Sequence, residues 1–249
     1  MIIDGKKIAE EILQVLSEER AAFDTVTLGV VMSVGDAATE SFVKIKTRVA
    51  EHLNVEVRRF GPDEMSQALE CDGVIVQMPF AGADALIAAL PPEKDADGLG
   101  LHAKVVPPVA SAMSEIFART GVAAANKKAV VVGEGALVGA PCATLLRELG
   151  AHVTVVSLEK GSLAKLKGAD IVVLGAGAPA LVKPDMMKEG VVLIDAGTSE
   201  SAGHLVGDAD PKCAEVASVF TPVPSGIGPI AVAMLFKNLL ELKKKNSGR

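Results

Sequence analysis

The sequence predicts an α/β protein of two lobes. Three observations carry this. Short β-branched runs alternate with helical segments, the pattern of parallel sheets. A stretch rich in Pro, Gly and charge at 89–110 interrupts the series. A glycine-rich turn then follows the first strand of the second series, which makes that lobe Rossmann-like.

The elements follow in order. "DGKKIAEEILQVLSEERAAF" carries Ile8, Ile12, Leu13 and Leu16 at helical spacing. "TVTLGVVMSVG" (25–35) reads as a buried strand. "DAATESFVKIKTRVAEHL" is a helix capped by Asp36 or Thr39, with Phe42, Val43, Ile45 and Val49 as its apolar surface. "VEVRRF" and "CDGVIVQMP" (71–79) are the next strands, and 89–110 is the linker. Five strands follow, at 128–133, 152–157, 169–177, 190–197 and 216–224. "PCATLLRELG" is the helix after the first of these, with Gly150 as its C-terminal stop. "GPIAVAMLFKNLLELKKK" is a final helix whose basic last turn complements its dipole.

Composition narrows the function. Hydrophobic residues make up 49%, which excludes a disordered chain. A net charge of −6 argues against a nucleic-acid or membrane-surface binder. No uncharged apolar run is long enough to span a membrane. Cys71, Cys142 and Cys213 are scattered, as expected of reduced thiols in the cytoplasm. The four His are dispersed and no metal is expected.

In "VVVGEGALVGAP" (130–141), Gly133, Gly135 and Gly139 let backbone amides approach a pyrophosphate at a helix N-terminus. The spacing is one residue longer than GxGxxG. Glu134 inside the turn repels a ribose 2′-phosphate, while Lys160 acts in the other direction; the balance leans to NAD. Ser157 stands where the usual acidic selector would be.

In "ESFVKIKTR" (40–48), Lys44 and Arg48 share one helix face and read as solvated charge. Phe42 and Lys46, four apart, share another. An ammonium beside a ring in a closing cleft is desolvated, so its pKa falls and it can act as a general base. Gln77 at a strand's carboxyl end can bond an amine without changing its charge. Asp95 and Asp97 lie in a loop where Asp is common for turn reasons alone.

Seven motifs run in order: "DGKKIAEEI", "SFVKIKTR", "GVIVQMP", "PPEKDADGL", "GALVGAP", "DAGTSE…HLVGDAD" and "TPVPSGIGPIAVAMLFKN". Together the chain resembles, nearly end to end, the bifunctional methylenetetrahydrofolate dehydrogenase/methenyltetrahydrofolate cyclohydrolase family. The resemblance implies an N-terminal α/β catalytic domain at 1–105, a Rossmann-like NAD(P)-binding domain at 106–227, and a helix at 228–249 returning to the first lobe. It implies oxidation of 5,10-methylenetetrahydrofolate and hydrolysis of the methenyl product. Lys46 is then the hydrolytic residue, Gln77 positions it, and Asp97 binds the pterin. Phe42, Pro79, Gly226, Gly228 and Pro229 border the folate. Gly133, Glu134, Gly135, Val138 and Gly139 take the cofactor, NAD or NADP, with Ser157, Gly175 and Thr198. A cytoplasmic homodimer is implied.

The chain also departs from the family pattern. Phe42 replaces a tyrosine, and "GEG" replaces GRS in the turn. "VPPVASA" stands for PCTPxG, and "GPIA" for GPMT. Two other readings are a folate- or dinucleotide-binding relative with one activity or none, and a two-lobed oxidoreductase of the shikimate dehydrogenase type. Retention of Lys46, Gln77 and Asp97 together disfavours the first, and "PVPSGIGP" the second.

Overall fold

The computed structural model describes residues 1–33, 37–159, 161–201 and 204–247. Asp36 and Lys160 lie outside them. The chain divides into two compact units. One combines Glu10–Pro108 with Val232–Arg249, the other Met1–Ala9 with Val109–Ala231.

The first of these units is built on a three-stranded parallel sheet. Helix α1 (Gly5–Arg20) leads to β1 (Thr27–Val31), α2 (Ala37–His52), β2 (Glu56–Phe60), α3 (Met65–Ala68), β3 (Gly73–Val76) and α4 (Ala83–Ala89). The sheet order is β2-β1-β3. Leu28 and Val30 of β1 and Ile75 of β3 are buried, as continuous apolar runs in a parallel sheet should be. They share a core with Val43 and Ala50 of α2 and with Leu235, Phe236 and Leu239 of the last helix.

The expected linker at 89–110 is packed structure instead. Its backbone pairs beside β3: the Val74 amide donates to Lys94 O (2.7 Å) and Ala96 N–H to Val74 O (3.1 Å). Asn238 of the last helix donates to the carbonyls of Ala96 (3.0 Å) and Val106 (2.9 Å). Asp95, Ala96 and Asp97 are buried in consequence. The segment covers the free edge of β3, whose unpaired amides and carbonyls would otherwise lack partners. Its last three residues already belong to helix α5 (Pro108–Thr120).

The other unit holds β4 (Lys128–Val132), α6 (Gly139–Glu148), β5 (His152–Val156), β6 (Ile171–Leu174), β7 (Val191–Asp195), a small hairpin of β8 (Ser199–Ser201) and β9 (His204–Val206), and β10 (Ala217–Phe220). Helix α7 (Ile227–Asn246) follows and carries the chain into the first unit. The main sheet is parallel, with order β10-β7-β6-β4-β5. The five strands are those expected from the sequence; the hairpin is an addition that its short, polar strands do not announce. Gly150 ends α6 at φ +81°, its amide on Arg147 O (2.9 Å).

The first nine residues belong with this unit, not with the N-terminal lobe as expected. Ile3 N–H donates to Phe220 O and Phe220 N–H to Met1 O, both at 2.9 Å, so the N-terminus extends the sheet beside β10. Gly5 N–H then reaches Ser225 O at 2.9 Å.

Candidate active site

Helix α2 presents Lys46 beside the end of β3. Val43 and Ala50 face the core, which leaves Lys46 half-buried at its margin and Phe42 36% exposed one turn earlier. Lys44 and Arg48 are exposed. Gln77 follows β3, and its backbone amide continues the ladder onto Val31 O at 2.8 Å. Its side chain is thereby held near α2. Gln77 Nε2 donates to Met78 O (3.2 Å), which turns Oε1 toward Lys46; Lys46 Nζ donates to it at 2.6 Å.

Asp95 and Asp97 have different environments. The Asp95 carboxylate accepts from the amides of Gly98 (2.9 Å) and Gly100 (2.7 Å), the turn role expected of it. That turn carries Asp97, which is buried and has no hydrogen-bond donor on its carboxylate among the described residues. Burial pushes the Asp97 carboxyl up, with Asp95 adding to the rise and Lys46 opposing it. Burial pulls the Lys46 ammonium down, opposed by Asp97. Desolvation dominates on both sides, so each group is biased toward its neutral form. An amine in its neutral form, held by an uncharged amide, can act as a general base; a carboxyl with no hydrogen-bond donor among the described residues can meet a ligand's N–H groups. Pro79, exposed, follows Gln77 by two.

The second unit of the fold supplies a different surface. In this sheet the chain leaves β4 toward β5 and returns past it to β6, so the crevice at the carboxyl ends of β4 and β6 is the switch point. Gly133 ends β4 with φ +104°, a backbone conformation that favours glycine. A Cβ there would strike Gly175 O, and one on Gly139 would strike Gly133 O. A Cβ on Gly175 would strike Val138. The structure thus brings Gly133, Val138, Gly139 and Gly175 together. Gly135 is different: nothing lies within 4 Å of a Cβ built on it, so its backbone faces open space where α6 begins. Such a turn fits a pyrophosphate. Glu134 is exposed in the turn, Ser157 half-buried after β5, and Thr198 exposed after β7.

Gly226, Gly228 and Pro229 lie in this same unit, and Lys46, Gln77 and Asp97 in the other. Gly226 is a packing position: a Cβ would strike Pro222 O. Before it, Ser225 holds φ +80°. Asp195 and Asp208, both fully buried, are not among the candidates named from the sequence. The signal was present, since each lies in "DAGTSE…HLVGDAD", but nothing local showed what either carboxylate meets. Among the described residues, no group of three His, Cys, Asp or Glu is placed to hold a metal. No described helix is long and apolar enough to cross a membrane.

Residues 107–247 match the family model for the tetrahydrofolate dehydrogenase/cyclohydrolase NAD(P)-binding domain. The chain belongs to this family. The matched span takes in the glycine-rich turn after β4 and makes this part of the chain a nicotinamide dinucleotide-binding domain. A curated relative, the bifunctional protein FolD of Halothermothrix orenii, is 37% identical, the match covering 98% of each chain. That alignment spans 278 positions against 249 residues here, so the relative has residues within the match that this chain lacks. The crystal structure of the Trypanosoma brucei methylenetetrahydrofolate dehydrogenase-cyclohydrolase, in complex with NADP and an inhibitor, superposes with a TM-score of 0.90 at 29% identity. It is covered to 99%, and this chain to 100%. A shikimate dehydrogenase from Aquifex aeolicus superposes at only 0.54 with 16% identity, over 90% of this chain and 93% of that one, a likeness of fold alone.

Proposed function

We propose that this enzyme oxidises 5,10-methylenetetrahydrofolate to the 5,10-methenyl form with a nicotinamide dinucleotide, and hydrolyses that product to 10-formyltetrahydrofolate. The observation that carries the reading is the Lys46–Gln77 hydrogen bond at 2.6 Å beside a buried Asp97 that has no hydrogen-bond donor among the described residues. A binding module has no use for an amine whose burial favours its neutral form. Membership of the family supplies the substrate class.

Each residue has a role. Asp97 receives the amino and ring N–H groups of the pterin. The ring of Phe42, one turn before Lys46, flanks the substrate without offering the hydroxyl of the family's tyrosine. Pro79, Gly226, Gly228 and Pro229 border the folate. In hydrolysis, water adds to the one-carbon bridge and its proton passes to the neutral Lys46 amine. The bond to N5 then breaks, N5 takes the hydroxyl proton, and the formyl group stays on N10. Gln77 keeps the amine aimed through the cycle. The dinucleotide, when bound, accepts a hydride from the same bridge; alignment carries most of that step. Gly135 and the start of α6 receive its pyrophosphate, while Val138, Gly139 and Gly175 shape the turn.

NAD is the preferred cofactor in this reading. Glu134 projects from the turn, where a carboxylate opposes a 2′-phosphate. Ser157 and Thr198, at the ends of β5 and β7, complete the contacts to the dinucleotide. No metal takes part. The protein is a homodimer: β5 is an edge strand whose Val153, Thr154 and Val155 are only half-covered, unlike the central strands. Three free, buried cysteines suit a cytoplasmic enzyme.

The test is a spectrophotometric assay of methylenetetrahydrofolate oxidation with NAD and with NADP, together with methenyl hydrolysis. Turnover of both folates is expected, with the higher kcat/KM for NAD. No turnover of either folate sinks the reading. Equal efficiency with NADP rejects the role given to Glu134 and leaves the rest standing.

A further inference from the structure

The roles above leave Asp195 and Asp208 without a task, although both are buried in the dinucleotide unit. What their carboxylates meet is backbone. Asp208 Oδ2 accepts from the amides of Ala176 (2.7 Å) and Gly177 (3.1 Å), and Oδ1 from Ala178 (2.8 Å). Three successive amides converging on one point form a concave anion nest. Here the protein's own anion fills it.

Asp195 repeats the arrangement one step back. Its carboxylate accepts from Gly197 (2.9 Å), from Ala209 (2.9 Å) and from the amide of Asp208 itself (3.2 Å). Thr221, just after β10, fixes Asp195 in turn. Its Oγ1 accepts from Asp195 N–H (2.7 Å) and donates to Asp195 O (3.1 Å). A Cβ on Gly197 would strike the Asp208 carboxylate, and one on Gly207 would strike that of Asp195. The chain of bonds therefore runs from the end of β10, through the end of β7, to the loop after β6. That loop begins at Gly175, which packs against Val138 and Gly133 of the glycine-rich turn.

We propose that Asp208, held by Asp195, is a positioning residue for the dinucleotide: its carboxylate locks the 176–178 loop in the shape that seats Gly175 under the glycine-rich turn. The proposal rests on the dinucleotide-dependent reading above. Two consequences follow. The amides of the 176–178 loop are already satisfied, so the pyrophosphate is left to Gly135 and the start of α6. A carboxylate is also required, because it only accepts. An asparagine would turn an NH2 group toward one of the three amides.

The experiment is steady-state kinetics of Asp208→Asn with the preferred dinucleotide varied at saturating methylenetetrahydrofolate. The KM for the dinucleotide is expected to rise about tenfold or more, the scale of a lost charge-assisted hydrogen bond, with kcat at saturation little changed. An unchanged KM in a variant that still melts cooperatively overturns the proposal. So does a loss confined to kcat. Hydrogen exchange on the unaltered protein tests the same point without a variant. The Ala176, Gly177 and Ala178 amides are expected to exchange slowly before any dinucleotide is added; protection that appears only with dinucleotide overturns the proposal. A protein that shows slow exchange yet binds neither NAD nor NADP would keep the clamp and lose the dehydrogenase reading.

Discussion

The Lys46 ammonium donates to the Gln77 side-chain oxygen across 2.6 Å. Thirty-one positions separate the two residues, and neither is oriented by its own neighbours alone. The helix sets the direction of the lysine, the strand end sets the glutamine, and the unit's core sets the distance between them.

Lys46→Ala is expected to lower methenyl hydrolysis by about 10²-fold or more, the usual contribution of a positioned base, while hydride transfer persists in part. In the unaltered enzyme, hydrolysis should rise with pH through the lowered Lys46 pKa as the neutral amine accumulates. Full hydrolysis in the alanine variant would reject the lysine's role.

Gln77→Glu sets a carboxylate against the amine in place of a neutral amide. An adjacent negative charge favours the ammonium, so the pH profile for hydrolysis should move to higher pH by about one unit. Hydrolysis at neutral pH should fall about tenfold. A profile that does not move would show that the Gln77 contact does not govern the Lys46 proton.

Glu134→Arg replaces the repelling charge of the turn with an attracting one. The ratio of kcat/KM for NADP over NAD should rise severalfold, and less so at high salt because the residue is exposed. An unaltered ratio would place cofactor choice elsewhere.

Asp195 makes folding stability depend on pH. Burial raises its carboxyl from 3.8 to about 6 despite three backbone hydrogen bonds. A raised folded-state pKa means that the folded form holds this proton more tightly than the unfolded chain. The contribution is therefore full below about pH 4 and is lost as pH rises through 6, on the order of 3 kcal/mol in all. Urea midpoints at several pH values should show this slope in the unaltered protein and not in Asp195→Asn. Parallel slopes would contradict it.

Ser225 carries a left-handed backbone at φ +80°, a conformation that costs a non-glycine residue about 1–2 kcal/mol. Ser225→Gly relieves the strain and adds about 0.5–1 kcal/mol of unfolded-state entropy, so a net gain of about 0.5–1 kcal/mol is expected from urea unfolding. A lower midpoint would refute the strain.

Much of the fold is legible because its signals are local. The β-branched runs at 128–132 and 171–174 are buried strands, and the 3.6-residue spacing around Val43 and Ala50 is a helix with a core face. Asn238 shows the limit. Within its helix it reads as one polar residue among apolar ones. Its amide nevertheless holds the carbonyls of Ala96 and Val106, and so turns an apparent linker into the wall that carries Asp97. Met1 and Ile3 show it again, since only the sheet edge beside β10 gives their backbone partners.

By itself the sequence determined the alternation of strands and helices, the glycine-rich turn after β4, and the sharing of one helix face by Phe42 and Lys46. Those follow from backbone periodicity and steric rules that act over a few residues. The resemblance paired Gln77 with Lys46, but only the tertiary structure made the contact and buried Asp97 near them with no donor among the described residues. The tertiary structure also decided that Asp208 fills the nest after β6. Each depends on residues far apart in the chain being desolvated together, and burial of a polar group is harmless or costly only according to which distant partner arrives with it.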